Sequence, residues 1–200
     1  MTTPPARTAK PLAALACTLL LAGATACTPF LGGTMKSPDQ KVQSVEAFQR
    51  NIEPVIVAAR NELMTADNFM AYKNIDHIGT YTREGSRIYS FHSRLYFFAN
   101  MDTDAIRATY NSHLEPLGFK MTEKRWTTED GIQFVDFSWT NDQYQAVVSS
   151  TTIVGEQTAV HYYVLRAPSD GSTDDPKRLI DLPGRVPDWF DPSTPPAGHK

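Results

Sequence analysis

From Phe119 to Arg166 the chain alternates apolar and polar residues in four successive runs, and the breaks between the runs are turn signals. Phe119–Trp126 and Ile132–Thr140 flank a turn containing Asp130-Gly131. Asn141-Asp142 leads into Gln143–Thr152, and Gly155-Glu156 leads into Gln157–Arg166. A period of two with such punctuation predicts antiparallel strands, because only a strand sends every second side chain to one face. A two-residue turn at Asn141-Asp142 pairs Thr140 with Gln143. It sets Trp139 against Tyr144, Phe137 against Ala146 and Val135 against Val148, and sends Asp136, Ser138, Thr140 and Gln145 to the other face. A register that sorts apolar from polar in this way predicts a hairpin with one buried side. In the first hairpin, four- and five-residue loops place Trp126 on different faces, so that register stays open.

Upstream, Ser37-Pro38-Asp39-Gln40 has the composition of a helix start, with a capping serine, a proline suited to the first turn and Gln40 to complete a capping box. Val42, Val45, Phe48, Ile52, Val55, Ala59 and Leu63 follow at spacings of three and four. This stripe predicts a helix that covers a sheet. Pro54 interrupts its hydrogen bonding, and since the stripe continues beyond, a kink near Asn51 is expected. Asp67 to Gly85 has no clean period and reads as a loop with room for a short strand at Ile78–Thr82. Ser86 to Asn100 is a strand with Tyr89, Phe91, Leu95 and Phe97 on one face and Ser90, His92 and Arg94 on the other. Asp102 caps a helix with Ile106, Tyr110, Leu114 and Leu117 inside, ended by Pro116 and Gly118. The expected fold is α+β. It has an antiparallel sheet of about five strands in the order strand-helix-strand-strand-strand-strand, an N-terminal helix, helices packed on one face, and a cystatin-like or helix-grip arrangement as the nearest architecture.

The first residues carry an address. Arg7 and Lys10 precede an apolar run from Leu12 to Ala24, which ends in Ala24-Thr25-Ala26-Cys27. A positive segment, a short apolar segment and a small-residue cleavage site make a secretory signal, and the run is shorter than the roughly 20 residues of a membrane span. Cleavage after Ala26 would also remove Cys17 and leave Cys27 as the single cysteine of the chain. A lone thiol in an oxidising compartment calls for an explanation, and thioether lipidation at Cys27 supplies one. Acylation with palmitate-like chains anchors stably once two or more chains are attached. Residues 1–26 therefore read as a lipoprotein signal peptide and 27–36 as a short tether. Residues 37–166 read as the folded domain and 167–200 as a mostly disordered tail rich in proline and aspartate. Trp189-Phe190 stands out in that tail, as a docking motif or as a segment packed back on the domain.

Charge and motifs exclude several functions. The net charge of −3 becomes −5 once Arg7 and Lys10 leave with the signal, and no basic run exceeds Lys177-Arg178. No nucleic-acid footprint is expected from that balance. His77, His92, His113, His161 and His199 are far apart, and no cysteine joins them, so neither a metal nor another cofactor is expected. No G-x-S-x-G, S-x-x-K or glycine-rich phosphate loop appears. Asp130 and Asp142 sit in turns, where aspartate bonds the local backbone, and His161 beside Tyr162 and Tyr163 reads as a histidine bonded within the fold. What remains is a polar sheet face. His92, Arg94, Asp136, Ser138 and Gln145 would share it if their strands are neighbours, though a sheet covered on one side leaves such a face wet in any case. A pocket uniting His161 with Asp136 would mark an enzyme, and a flat apolar patch an assembly role.

Ala24-Thr25-Ala26-Cys27, with Ala24 where leucine is usual, the joint Leu117-Gly118-Phe119 and the meander with Asp130-Gly131 together resemble small cell-envelope lipoproteins of high-GC Gram-positive bacteria. The resemblance implies location and fold class and transfers no catalytic residue. The expectation is a lipid-anchored protein on the extracytoplasmic face of the cell membrane. It acts as a non-catalytic binding or accessory module for an unknown envelope protein or small ligand. The alternatives are a small envelope hydrolase working on the polar face and a structural partner using Trp189-Phe190.

Overall fold

The computed structural model of the protein describes residues 41–73, 77–83, 85–99, 102–176 and 187–190. The signal peptide, Cys27, the tether, the helix start at Ser37–Gln40, and residues 177–186 and 191–200 of the tail lie outside the described residues. The fold is α+β, with three helices and one antiparallel sheet of eight strands. Helices α1 (Val45–Asn51) and α2 (Glu53–Leu63) come first. Strands β1 (Phe69–Lys73), β2 (His77–Arg83), β3 (Ser86–His92) and β4 (Leu95–Ala99) follow. Helix α3 (Thr103–Leu114) then precedes β5 (Lys120–Thr127), β6 (Gln133–Asn141), β7 (Ala146–Ile153) and β8 (Gln157–Pro168).

The helices begin and end where side chains satisfy their free backbone groups. Residues 41–44 are not helical, and Ser44, rather than Ser37, caps α1 by accepting from the Ala47 N–H at 3.0 Å. Pro54 splits the helix instead of bending it. The hydrogen-bonded run stops at Ile52, and α2 starts afresh with the proline in its first turn, where the missing N–H costs nothing. Val45, Phe48, Ile52, Ala59 and Leu63 of the predicted stripe are buried, with Ile56 taking the place of Val55. Asp102 caps α3 as expected, accepting from the Asp104 N–H, and Ile106, Tyr110 and Leu114 form its inner side. Gly118, at φ +82°, ends the turn after α3 in a backbone region that a Cβ disfavours.

Strand order across the sheet is β1-β4-β8-β7-β6-β5, with β3 in line with β4 along the same edge of β8 and β2 outside β3. The predicted strand Ser86–Asn100 is thus present as two segments, and the sheet exceeds five strands because β1 and β2 also form. Both lie at the margin of the sheet. β1 pairs through a register shift between Phe69 and Ala71, and β2 pairs only with β3, so neither carries a clean alternation.

The break at Ser93 has a specific chemistry. Ser93 is buried between β3 and β4, and it completes the ladder to β8. Its N–H donates to the Tyr162 carbonyl at 2.9 Å, and its Oγ accepts from the Tyr162 N–H at 2.9 Å while donating to the Arg94 carbonyl at 3.0 Å. His92 pairs with Tyr163 and Tyr96 with Val160, so three residues here oppose two on β8. An extra residue reverses which side chains face the core. Tyr96 and Phe98 are buried, and Leu95 and Phe97 are not, which corrects the faces expected beyond His92.

The hairpins are looser than a two-residue turn. β6 and β7 pair Trp139 with Val148 and Asn141 with Ala146, leaving a loop of Asp142 to Gln145 in place of Asn141-Asp142 alone. Asn141 dictates this loop. Its Oδ1 accepts from the Gln143 and Tyr144 N–H groups, and its Nδ2 donates to the Leu117 carbonyl. The displacement from the predicted register is an even number of residues, so Val135, Phe137, Trp139, Ala146 and Val148 still share the buried face. The first hairpin closes with Thr128 to Ile132 and pairs Trp126 with Phe134.

All three helices rest on this one face. Phe48 of α1 meets Phe91 and Tyr162 at ring distances of 6.2 and 6.3 Å, the Arg60 guanidinium of α2 lies 4.6 Å from the Tyr96 ring centre, and Tyr110 of α3 meets Trp139 at 4.7 Å. Where β5 extends past the apolar residues, ion pairs replace them: Arg107 of α3 bonds Glu123 at 3.2 Å, and Arg125 bonds the same carboxylate. The chain after β8 returns to α1. Buried Glu46 accepts from the Ser169 hydroxyl and the Asp170 N–H, and Asp170 accepts from Ser44 and pairs with Arg50 at 3.1 Å. Farther along the tail, Phe190 packs edge-on against Tyr72 and Tyr96 at 5.0 and 5.6 Å, the intramolecular option for Trp189-Phe190.

Two serine replacements should separate the structural roles of buried hydroxyls. Ser93→Ala removes the acceptor of the Tyr162 N–H and is expected to cost about 1–3 kcal/mol. Ser150 is fully buried on β7 with its hydroxyl unpartnered, and Ser150→Ala is expected to be neutral or stabilising. Urea unfolding of the two variants measures the difference.

Candidate functional site

The face of the sheet opposite the helices carries the candidate residues, and strand pairing decides which of them meet. His92 of β3 is directly across from Tyr163 of β8, and their rings stack at 5.4 Å and 16°. His161, two residues earlier on β8, stacks on the other side of Tyr163 at 5.6 Å and 24°. His161 is opposite Ser149 of β7, Ser149 is opposite Ser138 of β6, and Ser138 is opposite Thr122 of β5. The next row runs Lys124, Asp136, Thr151 and Ala159. Beside it, Trp126 stacks on Phe134 at 4.0 Å and 4°, and its indole N–H donates to Asp136 at 3.0 Å. The result is a strip of stacked rings at each end with hydroxyls between. The side chains on the central strands are half-buried, and Trp126 at the rim is exposed.

Three of the five predicted binding residues, His92, Asp136 and Ser138, belong to this strip. Arg94 does not. The irregularity at Ser93 carries its guanidinium to the helix side of the sheet, 6.0 Å from the Tyr72 ring and 5.9 Å from the Phe190 ring. Gln145 does not either. It sits in the β6–β7 loop with φ at +52°, and its side-chain amide donates to the Asp142 carbonyl. His161, Tyr163 and Ser149 were legible only through the pairing of β7 with β8, and Trp126 only once the first loop length was known.

The electrostatics of the strip are muted. Burial, aided by neighbouring His92, pulls the His161 pKa down to about 4, so the ring is neutral at pH 7. A base with so acidic a conjugate acid has little drive to take a proton from a hydroxyl, and no hydrogen bond joins His161 to Ser149. Asp136 and His161 do not form a catalytic pair. They lie on β6 and β8 with β7 between, which puts two strand spacings, about 10 Å, between their strands. Among the described residues no group of three or more His, Cys, Asp or Glu could hold a metal ion, and no helix is long and apolar enough to cross a membrane. His77 lies on β2, at the position directly across from His92, and His113 on α3 bonds Glu62 at 2.6 Å.

An eight-stranded antiparallel sheet, with three helices on one side and rings, hydroxyls, Lys124 and Asp136 on the other, defines an α+β domain with an open polar sheet face. The chain belongs to the family described as a domain of unknown function (DUF4853), whose model matches residues 41–175. It is similar to the crystal structure of a DUF4853 family protein from Actinomyces odontolyticus, a high-GC Gram-positive bacterium. The two are 12% identical with a TM-score of 0.47, and the match covers 66% of this chain and 73% of the other. No curated protein matches the chain.

The depressed pKa of His161 has a measurable consequence. A folded-state value near 4 lies below the unfolded value of about 6.5, so the unfolded chain binds the proton more readily. Stability from this source is complete above pH 6.5 and falls as pH drops toward 4. NMR titration should place the His161 midpoint near 4, and His161→Gln should flatten the stability profile in that interval.

Proposed function

We propose that the protein is a lipid-anchored, non-catalytic binding module of the cell envelope, held at Cys27 on the extracytoplasmic face with the strip from Trp126 to His92 as its recognition surface. The observation that carries the anchoring is the cysteine count: removal of residues 1–26 takes Cys17 away and leaves Cys27 first in the chain and alone. A single thiol has no disulfide partner within the molecule, whereas an acylated one is consumed by its lipid. The reading of the strip rests on its chemistry. A neutral His161, two stacked ring groups, a row of hydroxyls and an Asp136 already engaged by Trp126 suit an uncharged polar partner. The same features give little support to proton-transfer chemistry, which needs a base poised near the working pH.

The anchor is tested in the native host by metabolic labelling with an alkyne fatty acid. The unmodified chain should carry the label and sediment with membranes. Cys27→Ser should lose the label and shift to the soluble fraction while keeping the same unfolding temperature. An unlabelled wild-type chain, or one that keeps its leader in intact mass spectrometry, overturns the proposal.

A further inference from the structure

Phe190 is set in a cradle of rings that distant elements provide. It is 8% exposed, and its ring stands edge-on to Phe69, Tyr72 and Tyr96 at 5.6, 5.0 and 5.6 Å, with angles of 83°, 86° and 78°. Such perpendicular contacts set the positive edge of one ring against the negative face of another. The Arg94 guanidinium adds a cation, 5.9 Å from the Phe190 ring centre. Tyr72 of β1 is directly across from Tyr96 of β4, so the register of these two strands builds the floor of the cradle. Trp189 lies against Phe69 at 5.4 Å and stays 39% exposed.

Side chains alone hold this segment. Among the described residues its one hydrogen bond is internal, from the Phe190 N–H to the Pro187 carbonyl at 2.9 Å, and none joins residues 187–190 to the sheet. The rings beneath it belong to β1 and β4, whose backbones are tied into the ladder. The match to the family ends at residue 175, so the cradle lies inside the matched region and the segment that fills it lies outside. The end of β8 is secured before that point, where Glu46 and Arg50 hold Asp170. Residues 177–186 come between. At about 3.3–3.6 Å each they span up to roughly 35 Å, so the segment can leave the cradle while β8 stays paired. Three aromatic residues would then line an apolar patch, and such patches mark interaction sites.

We propose that Phe69, Tyr72, Arg94 and Tyr96 form a recognition site for an aromatic residue at the tip of a turn that starts at proline, and that Pro187–Phe190 is its built-in, displaceable occupant. A partner segment of the same chemistry takes the place of the chain's own. The occupant is tethered, so its effective concentration at the cradle is on the order of millimolar, and a competitor has to outbid it. The site is closed by default and opens to a partner that is abundant or binds more tightly. It is on the helix side of the sheet and is independent of both the anchor and the outer strip.

The experiment compares the chain from residue 28 to residue 200 with the same chain carrying Trp189→Ala and Phe190→Ala, both followed by NMR. The probe is a synthetic peptide of residues 185–193. The peptide should shift the β1 and β4 amides of the substituted chain in a saturable way. For a peptide Kd of about 0.1 mM, the wild type should need roughly tenfold more peptide, because its own segment competes. A peptide carrying Phe190→Ala should shift neither chain. Hydrogen exchange of the wild type supplies a second measurement. The Phe190 N–H should exchange through local opening, with far lower protection than the β8 amides. Equal peptide binding by the two chains overturns the proposal, as does a folded substituted chain that binds no peptide or binds the Phe190→Ala peptide equally well. A substituted chain that fails to fold, or a Phe190 N–H protected as strongly as β8, also overturns it, because the segment is then a fixed part of the core.

Discussion

The two hydrogen bonds between Ser93 and the backbone of Tyr162 hold the architecture together. β8 is the longest strand, and it has β7 along one side and both β3 and β4 along the other. A strand that must pair with two successive partners meets a gap where one stops and the next begins. In a buried position that gap would strand a peptide N–H and a carbonyl without partners. Ser93 fills it with its own N–H and hydroxyl. The extra residue accommodated there also turns Tyr96 and Phe98 inward and Arg94 toward the helices. The core beneath α2 follows from that local irregularity.

The parts of the fold visible in the sequence are those where one physical signal dominated. The strands from Lys120 onward and the helix capped by Asp102 were legible because apolar residues recur at the strand or helix period in β6, β8 and α3, and because turn or cap residues mark the ends. The hairpin faces were read correctly even though the loop was not. The Asn141 side chain builds a wider loop through bonds to Gln143, Tyr144 and Leu117, and the even displacement leaves inside and outside unchanged. Contacts with Leu117, distant in sequence, are beyond what a local pattern can encode. β1 and β2 escaped because marginal strands with a register shift or a single partner have no need to alternate cleanly.

The candidate surface was legible in half. His92, Asp136 and Ser138 fall on one face because simple alternation holds along their strands. Arg94 and Gln145 leave it for reasons a period of two cannot show, a bulge in one case and a left-handed loop residue in the other. The residues that lend the strip its character, Tyr163, His161 and Trp126, depend on which strands are neighbours. Arg60 was hidden for the opposite reason. An arginine within an amphipathic helix reads as a surface residue, and only its position above Tyr96 shows that it is inside.

The clasp between α1 and the chain just after β8 determines how the domain bears mechanical load. Gln43 is bonded to the β6–β7 loop, while Ser44, Glu46 and Arg50 grip residues 169 to 172. Force applied through the N-terminal end therefore enters the structure through several bonds at once and passes directly into its longest strand. That strand is paired along both sides, so a pull passed into it is shared by two backbone ladders. The leading end of the domain is in this way tied to its longest and doubly flanked strand.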